Sequence, residues 1–336
     1  MAMLPFLQSF SMQGSMKQYK FSGHDTFVLR HGWLKKIYDR LRELKFELGQ
    51  GEGTASIPAS VLFEPERAMS EFGVGKNMVR AMRYWAQATN FFTITEEENV
   101  NATKLGHLIL GDSSKREGCG LDPYFQNPAT LWVSHWEIAT NNRLCTAWDF
   151  AFSTFARTMF TKEALVLGLV VEADDRKWKV AAGSVEKDIT CILHMYCPDP
   201  KTSKGAFREE GLESPLAELG LIWKDVANGG YRFEMGPKPS LDPQVLYYAI
   251  ASYAAGRKTK LLSLDDIFYE PGAPGRVFKL DENSMCSLLE MAADITAGAL
   301  EWQETGPLRQ LKLNENLQEP IELLREAYTA TSEIAA

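Results

Sequence analysis

Cysteine is scarce in this 336-residue chain, and no two cysteines form a C-x-x-C pair: Cys119, Cys145, Cys191, Cys197 and Cys286 lie scattered. That excludes a disulfide framework and a zinc cluster and fits a reducing compartment. No apolar run approaches the ~18–20 residues a membrane-spanning helix needs. The first sixteen residues carry no charge, so they lack the basic start of a secretory signal. They read as a tail or disordered start, and the chain as soluble and cytoplasmic. Nucleophile-elbow, H-E-x-x-H, kinase and dinucleotide patterns are all missing. The loop Pro271 to Arg276 is glycine-rich but lacks the Lys-Ser/Thr of a phosphate-binding P-loop, so nucleotide binding is not supported. It reads as a turn leading to a helix capped by Asp281.

A net positive charge is missing too. Lys plus Arg number 36 against 44 Asp plus Glu, a formal net of −8, which speaks against nucleic acid as a first reading. The charge is unevenly spread. Residues 1–90 hold 12 basic and 8 acidic residues, a net of +4, and the remainder holds a net of −12. The front of the chain is therefore mildly basic and the back acidic.

With 45% hydrophobic and 24% charged residues, the chain can bury a sizeable core, and its length suggests two domains or three small ones. A helix is expected within Ile57 to Ser70, then a break at Gly73 and Gly75, then a helix from about Lys76 to Thr89. Val74, Met78, Met82 and Trp85 fall on its apolar side. The β-prone FFTIT, an acidic turn and the segment Ala102 to Leu110 follow. Helix, turn, helix and hairpin is the order of a winged helix-turn-helix, with the second helix in the recognition position. Two later segments repeat the order, with helices at Lys162–Glu172 and Ser184–Tyr196, then at Ser263–Tyr269 and Asp281–Ala293, each followed by a hairpin. Between the first and second units, Leu131 to Phe160 is rich in Trp and Phe and reads as two buried helices. Further helices are expected at Asp242–Ala255 and Glu319–Ala330.

The expected class is mainly α with small β-hairpins (α+β), as tandem winged-helix-like units around a helical aromatic-rich core. The expected division is 1–16 tail, 17–112 N-terminal DNA-binding unit, 113–240 central region and 241–336 C-terminal unit.

Two groups of residues bear on chemistry. Lys76, Arg80 and Arg83, spaced i, i+4, i+7, form a cationic stripe suited to phosphate contacts, and Asn77 and Gln87 could reach base edges. A solvated helix face is the plainer reading of the same stripe. The second group is His24, Asp25 and Arg30, followed by Lys35 and Lys36, which add cations for DNA. Asp25 could hold Mg²⁺, His24 could move a proton, and Arg30 could neutralise a phosphate oxygen. Alternatively, His24 and Asp25 with Thr26 simply cap the following helix. Glu137 and Asp149, in the aromatic stretch, need partners if buried, for which His135 and Arg143 are the candidates.

The segments FSGHDTFVLRHGWLKK, GVGKNMVRAMRYW, DPYFQNPATLWVSHWEIA, SPLAELGLI, FEMGPKPSLDP and PGAPGRVFKLDENS stand in that order. Together they resemble the SspB-like, uncharacterised-domain family that accompanies bacterial DNA phosphorothioation (Ssp) genes, over Lys17 to Tyr328. The resemblance implies a role in replacing a non-bridging phosphate oxygen of DNA by sulfur, in phage defence. It implies double-stranded DNA, sulfur-transfer and ATPase proteins as partners, and nicking of one strand with a divalent ion, Mg²⁺; from the lack of a long apolar run, no membrane is expected as a partner. His24, Asp25 and Arg30 match the family's N-terminal motif, with Asp25 where many members carry Glu. Lys76, Asn77, Arg80 and Arg83 match its helix-turn-helix-like motif. The leading expectation is a Mg²⁺-dependent DNA nickase with Asp25 as a metal ligand. The alternatives are a non-catalytic DNA-binding or recruiting subunit, a transcriptional regulator, or an assembly scaffold.

Overall fold

The computed structural model describes residues 19–49, 56–111, 120–197, 214–305, 308–314 and 320–334. The expected tail, residues 1–16, lies outside them.

The first unit runs α1 (Trp33–Glu47), β1 (Ile57–Pro58), α2 (Ala59–Leu62), α3 (Pro65–Phe72), α4 (Lys76–Ala88), β2 (Phe92–Ile94), β3 (Asn99–Ala102) and α5 (Lys104–Leu110). The stretch Ile57 to Ser70, expected to contain a helix, holds a short strand and then α2 and most of α3. Proline disfavours helical geometry in the residue before it, and here Glu64 turns away and caps the new helix. Its carboxylate accepts from the N–H groups of Glu66 and Arg67. Gly73 ends α3 in the left-handed region at φ 65°, where a side chain would be strained. On α4 the buried face is Val79, Met82, Trp85 and Ala86, while Val74 and Met78 are only half-buried.

α6 (Pro128–Ala139) is buried from Ala129 to Ala139, as expected of a central spine. α7 (Thr146–Asp149) runs on into a π-helical turn, Phe150–Thr154. The second unit is β4 (Met159–Phe160), α8 (Lys162–Asp175), α9 (Ala182–Tyr196), β5 (Ile222–Asp225) and β6 (Gly230–Phe233). α10 (Pro243–Arg257) leads to the third: β7 (Leu261–Ser263), α11 (Leu264–Phe268), α12 (Pro274–Val277), α13 (Glu282–Ile295), β8 (Leu300–Thr305) and β9 (Leu308–Leu313), followed by α14 (Pro320–Ile334). Asp281 caps α13, accepting from Ser284 N at 2.7 Å.

Each unit closes the same kind of sheet. The orders are β1-β3-β2, β4-β6-β5 and β7-β9-β8, all antiparallel, so the strand ahead of the helices pairs with the last strand of the hairpin. The class is thus α+β, with three small sheets among helices. One continuous apolar cluster runs from Leu29 to Tyr328 and includes residues of all three sheets. Among the described residues no helix is long and apolar enough to cross a membrane.

Candidate nucleic-acid interface

Burial of one side of α4 leaves Lys76, Asn77 and Arg80 exposed and Arg83 half-buried on the other. Two segments border this face. One is the β2–β3 hairpin tip, where Glu98 sits in the left-handed region at φ 60° and its side chain pairs with Arg83. The other is the loop Phe21 to Phe27, whose Asp25 Oδ2 lies 3.7 Å from the Arg80 guanidinium. No acidic residue occurs between Gly73 and Phe92, yet folding supplies both arginines with carboxylates from outside that stretch. Lys20, which the sequence reading passed over, joins the same face. It is exposed, and its ammonium lies 5.7 Å from the Tyr84 ring. Crowding by protein around the ammonium, and next the Arg83 charge, lower its pKa.

The loop is tightly wound. Ser22, Asp25 and Thr26 have φ of 59°, 47° and 69°. Left-handed geometry in non-glycine residues costs on the order of 1–3 kcal/mol each and persists only where surrounding contacts impose it. Those contacts centre on Asp188 of α9. Its Oδ1 accepts from Ser22 N at 2.8 Å and from His24 Nε2 at 2.9 Å. Thr26 N donates to His24 Nδ1 at 3.1 Å, which fixes the tautomer: Nδ1 accepts, so Nε2 carries the proton. The imidazole is fully buried, packed among the rings of Tyr84, Trp85 and Trp148. Gly23 lies flat on Tyr84, and a Cβ there would fall 2.5 Å from the ring. Trp85 Nε1 donates to Phe27 O at 2.9 Å, tying the loop to α4.

His24 therefore does not have the geometry of a proton carrier. Both ring nitrogens are engaged and no edge meets water, so its part is to hold the loop. Nor do His24 and Asp25 cap α1, whose N-cap is Gly32. Arg30 is also buried, its guanidinium 5.8 Å from the Phe27 ring and 5.5 Å from the Trp33 ring. Lys35 pairs with Asp39, and Lys36 donates to Phe72 O at 2.7 Å at the end of α3. Both lysines are thus engaged within the protein.

Asp25 differs from its neighbours. It is partly exposed, but its Oδ2 is buried with no hydrogen-bond partner among the described residues. The Arg80 guanidinium stands beside this oxygen at 3.7 Å, beyond hydrogen-bond reach, so there is room in its bonding for a further donor or a cation. Among the described residues, no three His, Cys, Asp or Glu side chains gather to hold a metal. Mg²⁺ commonly keeps most of its waters and takes one or two carboxylates besides substrate phosphate, so a single carboxylate fits that ion better than one that requires a full protein cage.

The aromatic stretch does not hold the ion pairs expected of it. Glu137 accepts from Tyr248 OH at 2.6 Å, and burial pushes its carboxyl up to about 7. His135 lies between Tyr196 OH at 2.8 Å and Val277 O at 3.0 Å, and burial lowers it to about 3. Burial also raises Asp149 to about 6, and the cation that acts on it is Arg176, not Arg143.

A family model described as "Protein of unknown function (DUF4007)" matches residues 21–328. The chain belongs to this DUF4007 family. Its fold is similar to two solved structures. One is described as an SspB crystal structure, with a TM-score of 0.73 at 26% identity over 95% of this chain and 88% of that one. The other is described as magnesium ion-bound SspB, with the same TM-score and coverage at 27% identity. The chain is therefore SspB-like. No curated protein matches it.

Proposed function

We propose that this DUF4007 protein is a DNA-nicking component of an Ssp-type phosphorothioation system, gripping duplex DNA with the exposed face of α4. The likeness to SspB supports a role in such a system. The observation that carries the reading is the juxtaposition of a cationic helix face with Asp25 Oδ2, which makes no hydrogen bond among the described residues and stands 3.7 Å from Arg80. Lys76, Arg80 and Arg83 take backbone phosphates, and Asn77 reaches toward base edges. His24 and Asp188 hold the loop so that Asp25 stays beside that track. Asp25 is the residue that would hold Mg²⁺, with water and DNA phosphate completing the set. When bound, the ion supplies charge neutralisation at the phosphodiester and a more acidic water. A nick would open the strand for sulfur incorporation by the sulfur-transfer and ATPase partners. Supercoiled plasmid incubated with the protein and Mg²⁺ should become open circles, and EDTA should prevent this. Persistent supercoil at high protein concentration rejects the assignment.

The enclosure of His24 and the lack of a three-ligand metal group among the described residues favour a second reading, a non-catalytic DNA-binding or recruiting subunit. Binding of duplex without any cleavage, lost in the Lys76/Arg80/Arg83→Ala variant, selects it.

A further inference from the structure

The two arginines of the α4 face are already matched by carboxylates in the free protein, and neither carboxylate belongs to α4. Asp25 reaches Arg80 from the Phe21–Phe27 loop, and Glu98 reaches Arg83 from the hairpin tip. Both acids sit on left-handed backbone, at φ 47° and 60°. The Glu98 turn is fixed by its own N–H bond to Thr95 O at 3.0 Å and by Ala59 N donating to Glu98 O at 2.6 Å. The Arg83–Glu98 pair is open to solvent, with side chains 36% and 60% exposed; in the other pair Arg80 is 60% and Asp25 32% exposed, although the Asp25 Oδ2 atom itself is covered. Lys76, one turn earlier, has no carboxylate partner among the described residues. A carboxylate and a phosphodiester offer a guanidinium the same thing, two anionic oxygens in a plane or fork.

We infer that Asp25 and Glu98 stand where two DNA backbone phosphates bind, so that the structure marks two phosphate subsites, one at Arg80 and one at Arg83. This rests on the reading of α4 as the DNA-contacting helix. DNA then binds by exchange: each phosphate displaces a protein carboxylate from its arginine. The free protein is held at weakened affinity by its own acids, and the exchange leaves the Asp25 carboxylate unpaired beside the incoming strand. Glu98 is thereby a residue that sets affinity although it repels DNA.

The test is the affinity of a labelled duplex for the full chain, measured without divalent ion across a salt series. Glu98→Gln should tighten binding about two- to fivefold, the scale of an exposed ion pair. It should also steepen the log–log salt slope by up to about one. Glu96→Gln on the same hairpin is the control, since Glu96 is exposed and pairs with no arginine. It should change affinity by less than half as much on the logarithmic scale. Arg83→Ala should cost more in the Glu98→Gln background than in the native chain. Asp25→Asn should bind more tightly while losing nicking. Equal effects of Glu98→Gln and Glu96→Gln, or weaker binding by Glu98→Gln, overturn the inference while leaving α4 as the DNA-contacting helix. If Arg80→Ala and Arg83→Ala leave affinity unchanged, the parent reading fails, and the inference fails with it.

Discussion

His24 donates its Nε2 proton to Asp188 across 2.9 Å, joining a loop at the start of the described chain to a helix 164 residues later. Both side chains are buried, and the same carboxylate oxygen also receives the Ser22 amide. This one oxygen fixes a strained loop against the second unit and so decides where Asp25 lies. His24→Ala would remove a buried charge-assisted hydrogen bond and a ring packed among three aromatics. We expect a loss of about 2–4 kcal/mol in unfolding free energy, read from urea melts. Circular dichroism should show the helical content retained in the folded fraction. An unchanged midpoint would contradict the anchoring role.

Gly23 tests the same loop by crowding. The buried Tyr84 ring is closed in, with its hydroxyl bonded to Leu144 O at 2.9 Å, so it cannot swing aside for a Cβ. Gly23→Ala should cost about 1–3 kcal/mol and lower nicking by moving Asp25. A fully stable and active variant would mean that the loop position is not tightly set.

Much of the architecture was legible in the sequence, because amphipathic helices and hairpins are local patterns. The Asn228-Gly229 turn between β5 and β6 and the Asp281 cap announce themselves through residue type. The first strand of each sheet did not. β1 and β4 have two residues and β7 three, too few for alternation to register, and they form only by pairing with strands far along the chain. Pro65 marks the break between α2 and α3, with Glu64 before it as the cap. The candidate site was legible only in part. The cationic stripe follows from 3.6-residue spacing, whereas its pairing with Asp25 and Glu98 is tertiary. Asp188 left a usable signal: it lies on the apolar stripe of α9 between Val185 and Ile192, and a carboxylate there requires a polar partner.

Glu137 gives a pH prediction. Its carboxyl sits at about 7 in the folded protein because of burial, against an ordinary value near 4.5. The folded state thus holds this proton more firmly than the unfolded chain. Stability from this group is full below about pH 4.5, falls as pH rises toward 7 and is constant above. Glu137→Gln keeps an acceptor for Tyr248 and removes the titration. Compared with the native chain, the variant should gain relative stability between pH 5 and 7.5, on the order of 2–3 kcal/mol. Urea melts at four pH values check this, and parallel curves for the two proteins would refute it.

The proposed role of Asp25 predicts that holding and cutting come apart at this residue. Asp25→Ala should leave the protein folded and able to bind duplex but reduce plasmid nicking at least tenfold, because the carboxylate that would hold the ion is gone. Normal nicking by this variant removes Asp25 from the site without disturbing the α4 assignment.

The proposed grip of α4 on DNA requires three phosphate contacts, and salt dependence of binding measures them most directly. Fluorescence anisotropy of a labelled duplex over 50–300 mM salt should give a log–log slope between roughly −1 and −3 for the native chain, the full three-contact value being reduced where Asp25 and Glu98 must be displaced. In the Lys76/Arg80/Arg83→Ala variant both affinity and slope should collapse. The same affinity and slope in the two proteins would contradict the account.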